Sequence, residues 1–380
     1  MSSGLKLAPT CAVFRNMAKV LILFFAAGLL TACKGGLETM NFHEGASTGL
    51  STPQDPVIVD PGPGADPDPV TDPSDGDFKI CSDLDFTGLD WDPSLSLSWR
   101  EPLALALNIT GSFEGVSGWN NLTGNFDGQG ISMGLLQQNL GQGSLQPMWS
   151  DMINGYNGQF TSQFTSAQYT SIKNMLKAWG ASVTVASYLK LEDYGYNELD
   201  DPEQVAHDLG VPVEDIQAVT VALTAKNQAS VDWAKANVLS GTSIKSDWKT
   251  RLMAVSLTAG YRSLQVARAE AIHDKAYAYF KDYGMSQLRS YLVFFDIVVQ
   301  NGGIPDSVRT SYKSWLASNS SATEYTRMKK LIELRVAKSS TQWQADVRSR
   351  KMALLDGTGL VHGENRDFDK EYCTDVRASL

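Results

Sequence analysis

Two acidic residues, Glu114 and Asp127, are of the type that cleavage of a glycosidic bond requires, and their spacing can place them across a groove. Glu114 stands at the end of a predicted helix, and Asp127 follows thirteen residues later in a Gly- and Asn-rich stretch that predicts a turn. Such a pair can face each other across a groove. One carboxylic acid then protonates the leaving oxygen, and the other carboxylate activates water or stabilises the oxocarbenium-like centre. The spacing alone also fits a turn-forming Asp127 and a solvated Glu114.

The elements that would position these acids are mostly helical, so the expected fold class is mainly α. Apolar periodicity predicts helices over 101–115, 168–189, 202–209, 213–224, 245–282, 287–300, 308–316, 322–338 and 341–354. Strand signals are confined to residues 118–133, and another helix is predicted to begin near Ser132 and to run through Gln137.

The order of these features resembles the lysozyme superfamily. The motif Gly-x-Ser-x-Gly-x-x-Gln over 130–137 follows the helix that ends in Glu114 and the turn that carries Asp127. Among the superfamily's members the chitosanases look most similar, and residues 294–303 resemble the chitosanase helix that ends near the cleft. Residues 127–149 also resemble bacterial proteins labelled peptidoglycan-binding or lysozyme-like. The interval between the two acids is shorter than in the chitosanase pattern, which leaves the substrate open.

The resemblance implies a lysozyme-like α+β fold with a small β-hairpin beside the active-site cleft. It implies Glu114 as the general acid, Asp127 as the base or stabilising carboxylate, and Ser132 as a residue that positions water. The Gly-x-Ser-x-Gly letters also match the serine hydrolase elbow, but that elbow needs a parallel sheet, which the sequence does not predict.

Four further residues are candidates for binding the substrate. Gln137 and Asn139 could bind sugar hydroxyl or N-acetyl groups, although a surface or capping role for these amides fits equally well. Trp119 could stack on a sugar face, although tryptophans are more often core residues. Asp296 would lie near the cleft, where arginines such as Arg350 could pair with it.

The loop over 356–363 contains His362, which could act as a second base. A lone histidine near a turn usually has no such role, and this loop is equally consistent with a plain surface turn. It is not a nucleotide-binding loop, because no strand precedes it and no Lys-Ser/Thr pattern follows it.

The N-terminal region has the pattern of an export signal followed by a linker. Basic residues precede an apolar run over 20–30 that ends in Leu-Thr-Ala-Cys33, which looks like a bacterial lipobox. We therefore expect a signal peptide over 1–32, a lipidated Cys33 and an Asp/Pro-rich linker over 33–77. One helical domain follows over 78–380. The expected location is the bacterial cell envelope, anchored by lipid to the outer membrane.

Cys81 and Cys373 stand near the two ends of the predicted domain. Because an exported domain folds in an oxidising compartment, a disulfide between them is expected. Two buried free thiols are the alternative.

Composition excludes some classes of protein. The chain has 380 residues, with 32 Lys and Arg against 42 Asp and Glu and a net charge of −10, which argues against a nucleic-acid partner. Its four histidines are scattered and its four cysteines lack zinc spacing, so no metal or organic cofactor is implied.

Two classes of function remain, and we expect a monomer in either case. The first is a glycosidase that cuts a β-1,4-linked amino-sugar polymer, peptidoglycan in the first instance and chitosan as the alternative. The second is a non-catalytic peptidoglycan-binding lipoprotein with a lysozyme-like cleft.

Overall fold

Helices form most of the part of the chain that the computed structural model describes. It describes residues 80–380 apart from 83, 116, 182–193 and 198, and of residues 181 and 217–226 only the backbone. All described residues fall within one compact unit, Val70–Leu380. The predicted signal peptide, Cys33 and the linker lie outside the described residues.

Thirteen helices are present among the described residues, which confirms the mainly α fold class. They are α1 (Leu97–Glu114), α2 (Leu145–Gly155), α3 (Asn157–Thr161), α4 (Ser166–Ala181), α5 (Pro202–Leu209), α6 (Val213–Asn237), α7 (Ser246–Ser256), α8 (Ala259–Asp282), α9 (Leu288–Asn301), α10 (Asp306–Ala317), α11 (Glu324–Val336), α12 (Gln344–Asp356) and α13 (Phe368–Glu371). Within this described part, no helix combines the length and the apolar character that crossing a bilayer requires.

The long helix predicted over 245–282 is in fact two helices, α7 and α8. Thr258 has an extended backbone, with φ −66° and ψ 144°, and its hydroxyl accepts a hydrogen bond from the Tyr261 amide. This is the geometry of a helix N-cap, so the chain stops one helix and starts another at this point. Apolar periodicity continues across the break, which is why the sequence pattern did not reveal it.

Seven short strands within residues 80–380, where the structure is described, form three small antiparallel sheets. They are β1 (Leu122–Thr123), β2 (Ser132–Met133), β3 (Gln138–Asn139), β4 (Leu239–Ser240), β5 (Ser243–Ile244), β6 (Thr358–Val361) and β7 (Glu364–Asp367). The first sheet has the order β1-β2-β3, with Thr123 opposite Ser132 and Ser132 opposite Asn139.

The second helix predicted near Ser132 is therefore wrong. Ser132 is in β2, and the following residues turn the chain into β3. Gly134 and Gln137 both have positive φ, at 86° and 47°, which a right-handed helix does not allow. The sheet lies where two hydrophobic clusters meet, because Met133 belongs to one cluster and Leu135 to the other.

Helix α9 is the centre of the larger cluster. Its residues 291–295 are at most 1% exposed, and it packs against α8, α12 and α1. A helix that is apolar on all sides is expected to be enclosed by other elements. The one carboxylate in this apolar run, Asp296, is therefore carried into the interior.

A disulfide joins Cys81 to Cys373, as predicted, with the two Cα atoms 5.2 Å apart. The amide of Cys81 also donates a hydrogen bond to the carbonyl of Tyr372. The C-terminal segment continues past α9, where the Leu288 amide donates to the Ala378 carbonyl at 2.8 Å. The two ends of the described chain are thus held together next to the start of the central helix.

Candidate active site

Glu114 is the last residue of α1, as predicted, and its side chain is 29% exposed. The helix stops at Gly115, where a Cβ atom would lie only 2.6 Å from the Asn121 side-chain oxygen. That oxygen accepts a hydrogen bond from the Ser117 amide, and the Asn121 amide group donates to the Gly111 carbonyl of the last helical turn. The close approach of Asn121 thus fixes the helix end that presents Glu114.

Arg350 of α12 holds the Glu114 carboxylate from the protein side. Its Nη1 donates to Glu114 Oε1 at 2.9 Å, and its Nη2 donates to Asp296 Oδ1 at 2.6 Å. The guanidinium also lies over the Phe113 ring, 4.7 Å from its centroid. Because the Arg350 side chain is only 4% exposed, it bridges a fully buried acid and a partly exposed one.

The expected pairing of Arg350 with Asp296 is confirmed, and Lys351 completes the cluster. Lys351 Nζ donates to the other oxygen of Asp296 at 3.0 Å, and both side chains are 0% exposed. Two acids and two bases therefore meet, three of them buried. A balanced set of this kind is the arrangement in which buried charges are tolerated.

The pKa values of the cluster report this balance. Burial alone would raise the pKa of Asp296, but the positive charges of Arg350 and Lys351 hold it below its ordinary value. Burial lowers the pKa of Lys351 to about 8, although the charge of Asp296 opposes that shift. For Arg350, burial is outweighed by Asp296 and Glu114, which raise its pKa.

A hydrogen-bonded chain leads from this cluster back to the surface. Lys351 Nζ also donates to Gln300 Oε1 at 2.6 Å, and Gln300 Nε2 donates to Asp346 Oδ2 at 2.7 Å. The second oxygen of Asp346 is 2.8 Å from His362 Nε2. The network therefore begins at one partly exposed group, Glu114, and ends at another, His362.

Asp127 is exposed in the loop between β1 and β2. Its Oδ1 accepts a hydrogen bond from the Gln129 amide at 3.0 Å, the geometry of an Asx-turn. The same loop is closed by Asn125, whose side-chain oxygen accepts from the Gly130 amide. The structural role that the sequence left open is thus present, and the carboxylate remains accessible to solvent.

Three of the expected substrate-binding residues are buried, which corrects those predictions. Trp119 is 5% exposed and packs edge-on against Phe86, so it offers no face to a sugar. Asn139 is 6% exposed and bonds within its own turn to Gln142. Asp296 is 0% exposed, so it cannot contact a ligand directly.

Ser132 lies in β2 and Gln137 lies in the turn between β2 and β3, so neither is on a helix. Ser132 is 4% exposed, so its proposed contact with water requires a buried water molecule. Gln137 is partly exposed, and its Oε1 accepts a hydrogen bond from the Thr123 hydroxyl at 2.9 Å. Of the predicted binding residues, Gln137 alone keeps an accessible side chain.

A cavity of about 360 Å³ opens on another face of α1. It is lined by Asn108, Gly111, Ser112 and Gly115, which share one side of the helix, together with Leu135 and Tyr372. Glu114 is not among its lining residues. The cavity and the Glu114 carboxylate therefore lie on neighbouring faces of the same helix.

The sequence did not predict most of this network, namely the parts played by Lys351, Gln300 and Asp346 and the contact of His362. The available signal was Asp296 itself, because one acid inside the apolar run of α9 must be neutralised by partners. Periodicity did not identify those partners, since Lys and Gln on a helix are usually solvated. In the described part of the chain, no group of three or more His, Cys, Asp or Glu side chains is arranged to hold a metal ion.

Comparisons of the chain with protein-family models, with curated proteins and with solved structures gave no match.

Proposed function

We propose that this protein is a glycoside hydrolase with a lysozyme-like site, in which Glu114 is the general acid. One observation carries the proposal. A partly exposed carboxylate ends a helix beside a three-stranded sheet, and a buried Arg350–Asp296–Lys351 cluster fixes its orientation. Preorganised charges of this kind are typical of catalytic sites. The exposed side of Glu114 is then the side from which the sugar polymer approaches.

In this proposal Glu114 protonates the glycosidic oxygen as the bond to the anomeric carbon breaks. Arg350 keeps the carboxyl group in position and stabilises the carboxylate that remains after proton transfer. Asp127 activates water or stabilises the oxocarbenium-like centre from the loop between β1 and β2. Ser132 in β2 and Gln137 in the turn before β3 are the proposed supporting residues.

The Asx-turn at Asp127 favours a second mode of cleavage with one acid. If Asp127 only shapes its loop, the C6 hydroxyl of the sugar can replace water as the nucleophile. The Glu114 carboxylate, having protonated the leaving oxygen, then takes the hydroxyl proton, and the product ends in an anhydro ring. Glu114 would then act alone, as in a lytic transglycosylase. This outcome uses the same site and the same substrate class.

The proposed substrate is a β-1,4-linked amino-sugar polymer, with peptidoglycan ahead of chitosan. The proposal follows the sequence resemblance and the predicted envelope location, in which lipidated Cys33 anchors the domain through an acidic linker. The non-catalytic alternative is favoured by the Glu114–Arg350 contact itself, because the same ion pair could serve stability alone.

The test is a cleavage assay on purified peptidoglycan and on chitosan with the full chain. We expect new reducing or anhydro ends from the wild type, and a loss of at least about 100-fold in Glu114→Gln, since removal of a general acid typically costs that much. Glutamine keeps an oxygen that can accept from Arg350 Nη1, so the fold should persist. Glu101→Gln changes an acid at the other end of α1 and is the matched control.

Asp127→Asn separates the two modes of cleavage. A comparable loss of activity supports hydrolysis with two carboxylates, whereas full activity with anhydro products supports the one-acid mode. Wild-type protein that cuts neither polymer, or Glu114→Gln protein that cuts as well as wild type, contradicts the proposed function. Retained binding by an inactive wild type points to the non-catalytic alternative.

A further inference from the structure

His362 has a left-handed backbone conformation. It is the first residue of the two-residue turn between β6 and β7, where Val361 pairs with Glu364. His362 and Gly363 both have positive φ, at 52° and 87°, as a type I′ turn requires. Glycine, asparagine and aspartate are the usual residues there, and histidine is also enriched over other side chains. A residue with a Cβ atom still carries some strain in this region, which glycine does not.

The imidazole ring is held in one orientation by Asp346. His362 Nε2 lies 2.8 Å from Asp346 Oδ1, and Gln300 donates to the other oxygen of that carboxylate. Since a carboxylate accepts, Nε2 carries the proton in the neutral ring and Nδ1 is left as an acceptor. Nδ1 has no hydrogen-bond partner among the described residues, and the side chain is 46% exposed.

This ring packs against the residue that precedes the proposed general acid. Its centroid is 6.5 Å from that of Phe113, which directly precedes Glu114. Arg350 covers the Phe113 ring and holds the Glu114 carboxylate, and Asp346 lies one helical turn before Arg350 on α12. Glu114 and His362 are therefore two accessible polar groups attached to one buried network.

We propose that His362 is a substrate-binding residue whose Nδ1 accepts a hydrogen bond from an N–H or O–H group of an amino-sugar unit bound beside Glu114. Asp346 is the residue that positions the ring. This inference rests on the proposed function, because the saccharide is the polymer that Glu114 would cleave. The contact is made in the ground state and the transition state alike, so it strengthens binding and leaves the chemical step unchanged.

The decisive variant is His362→Gly, because it removes the ring and also relieves the left-handed backbone. A structural histidine would lower stability when removed, whereas a binding histidine at a strained position leaves the melting temperature unchanged or raised. We expect KM to rise by about three- to tenfold, the amount that one lost neutral hydrogen bond corresponds to, with kcat retained. Asp346→Asn should weaken binding to a smaller extent, since an amide orients the ring less firmly than a carboxylate.

His207→Asn is the matched control. His207 is also an exposed histidine beside an aspartate, with Nδ1 3.3 Å from Asp208 Oδ1. It lies on α5, which contributes no residue to the network around Glu114. KM, kcat and melting temperature should all stay at wild-type values in this variant.

A binding measurement keeps the inference separate from the proposed function. Isothermal titration of N-acetylglucosamine and glucosamine tetramers is carried out with Glu114→Gln protein and with the Glu114→Gln/His362→Gly double variant. The inference predicts a dissociation constant about three- to tenfold weaker in the double variant for at least one tetramer.

Activity and binding together distinguish the two proposals. If the wild type cleaves no polymer but the double variant binds more weakly, the proposed function fails and the binding role of His362 stands. If cleavage occurs and the two dissociation constants agree, the role of His362 is overturned while the proposed function stands. The role of His362 is also overturned if the double variant binds more weakly and its melting temperature is lowered as well. Failure of Glu114→Gln protein to bind either tetramer overturns the inference as well.

Discussion

Arg350 is the residue that joins the exposed acid to the buried one. Its planar guanidinium reaches Glu114 through Nη1 and Asp296 through Nη2 and Nε, while its face covers Phe113. A lysine has one nitrogen and no flat face, so it cannot make these contacts together. The position of Glu114 therefore depends on the shape of Arg350 as well as on its charge.

Arg350→Lys is expected to lower kcat about 10- to 100-fold, because a small displacement of a catalytic group costs about that much. Cleavage kinetics on the preferred polymer measure the effect. Arg348→Lys, an exposed arginine on the same helix, is the control and should keep wild-type kinetics. A wild-type kcat in the Arg350→Lys variant would show that the simultaneous contacts of the guanidinium are not needed to hold Glu114.

Lys351 should give the protein a distinct stability profile at alkaline pH. Its pKa is lowered to about 8 in the folded state, against an ordinary value of 10.5. Between these values the unfolded chain binds the proton and the folded protein does not, so the free energy of unfolding rises with pH. Below pH 8 Lys351 is protonated in both the folded and the unfolded state. The gain in the free energy of unfolding that its deprotonation gives is therefore absent there.

The measurement compares urea unfolding of wild type and Lys351→Met from pH 7 to pH 10.5. The difference between the two free energies should stay constant up to about pH 8 and then grow by about 3 kcal/mol in favour of wild type. Taking the difference cancels the titration of other lysines and of tyrosines. Parallel curves over the whole range would contradict the lowered pKa.

At the scale of elements, the turn between β2 and β3 depends on Gly134. Its φ is +86°, and a Cβ atom there would lie 2.3 Å from the Gln265 side-chain oxygen. That oxygen accepts a hydrogen bond from the Leu135 amide at 2.7 Å, which ties the sheet to α8. A side chain at this position must therefore strain the backbone and displace the Gln265 side chain, which breaks its hydrogen bond with the Leu135 amide.

Gly134→Ala is expected to lower the free energy of unfolding by about 2–4 kcal/mol, the sum of left-handed strain and overpacking. Gly128→Ala provides a matched control, because its φ is +87° and nothing lies within 4 Å of the added atom. In this control the free energy of unfolding should fall only by the cost of backbone strain, about 1–2 kcal/mol. Equal losses in the two variants, measured by urea unfolding, would argue against the contact with Gln265.

At the scale of the whole molecule, the Cys81–Cys373 disulfide closes a loop that spans 292 positions. Cross-linking so long a loop reduces the freedom of the unfolded chain. The Cys81→Ser/Cys373→Ser variant is therefore expected to lose about 2–5 kcal/mol of stability. Thermal and urea unfolding measure the loss, and wild type treated with reductant is the control. If the reduced wild type and the variant both unfold like the oxidised protein, the disulfide does not contribute to stability.

Local signals in the sequence sufficed for elements that local chemistry determines. Helix α5 begins and ends where predicted, because Asp201 caps its start, Pro202 opens it and Gly210 closes it. The break after Glu114 has a different cause, since Asn121 leaves no room for a side chain at Gly115. Strands of two residues are different, since β4 and β5 exist only through their pairing with each other, and the sequence did not predict them.

The sequence by itself determined the mainly helical fold, the helix end that presents Glu114 and the pairing of the two domain cysteines. Each depends on residues close in the chain or, for the cysteines, on their positions near the two ends of the predicted domain. Tertiary structure alone decided that Trp119 and Asn139 are buried and that Lys351 joins Asp296. It also brought Glu114 to Arg350, which is 236 residues away along the chain. Burial and long-range ion pairing depend on which surfaces meet, and periodicity within one segment does not contain that information.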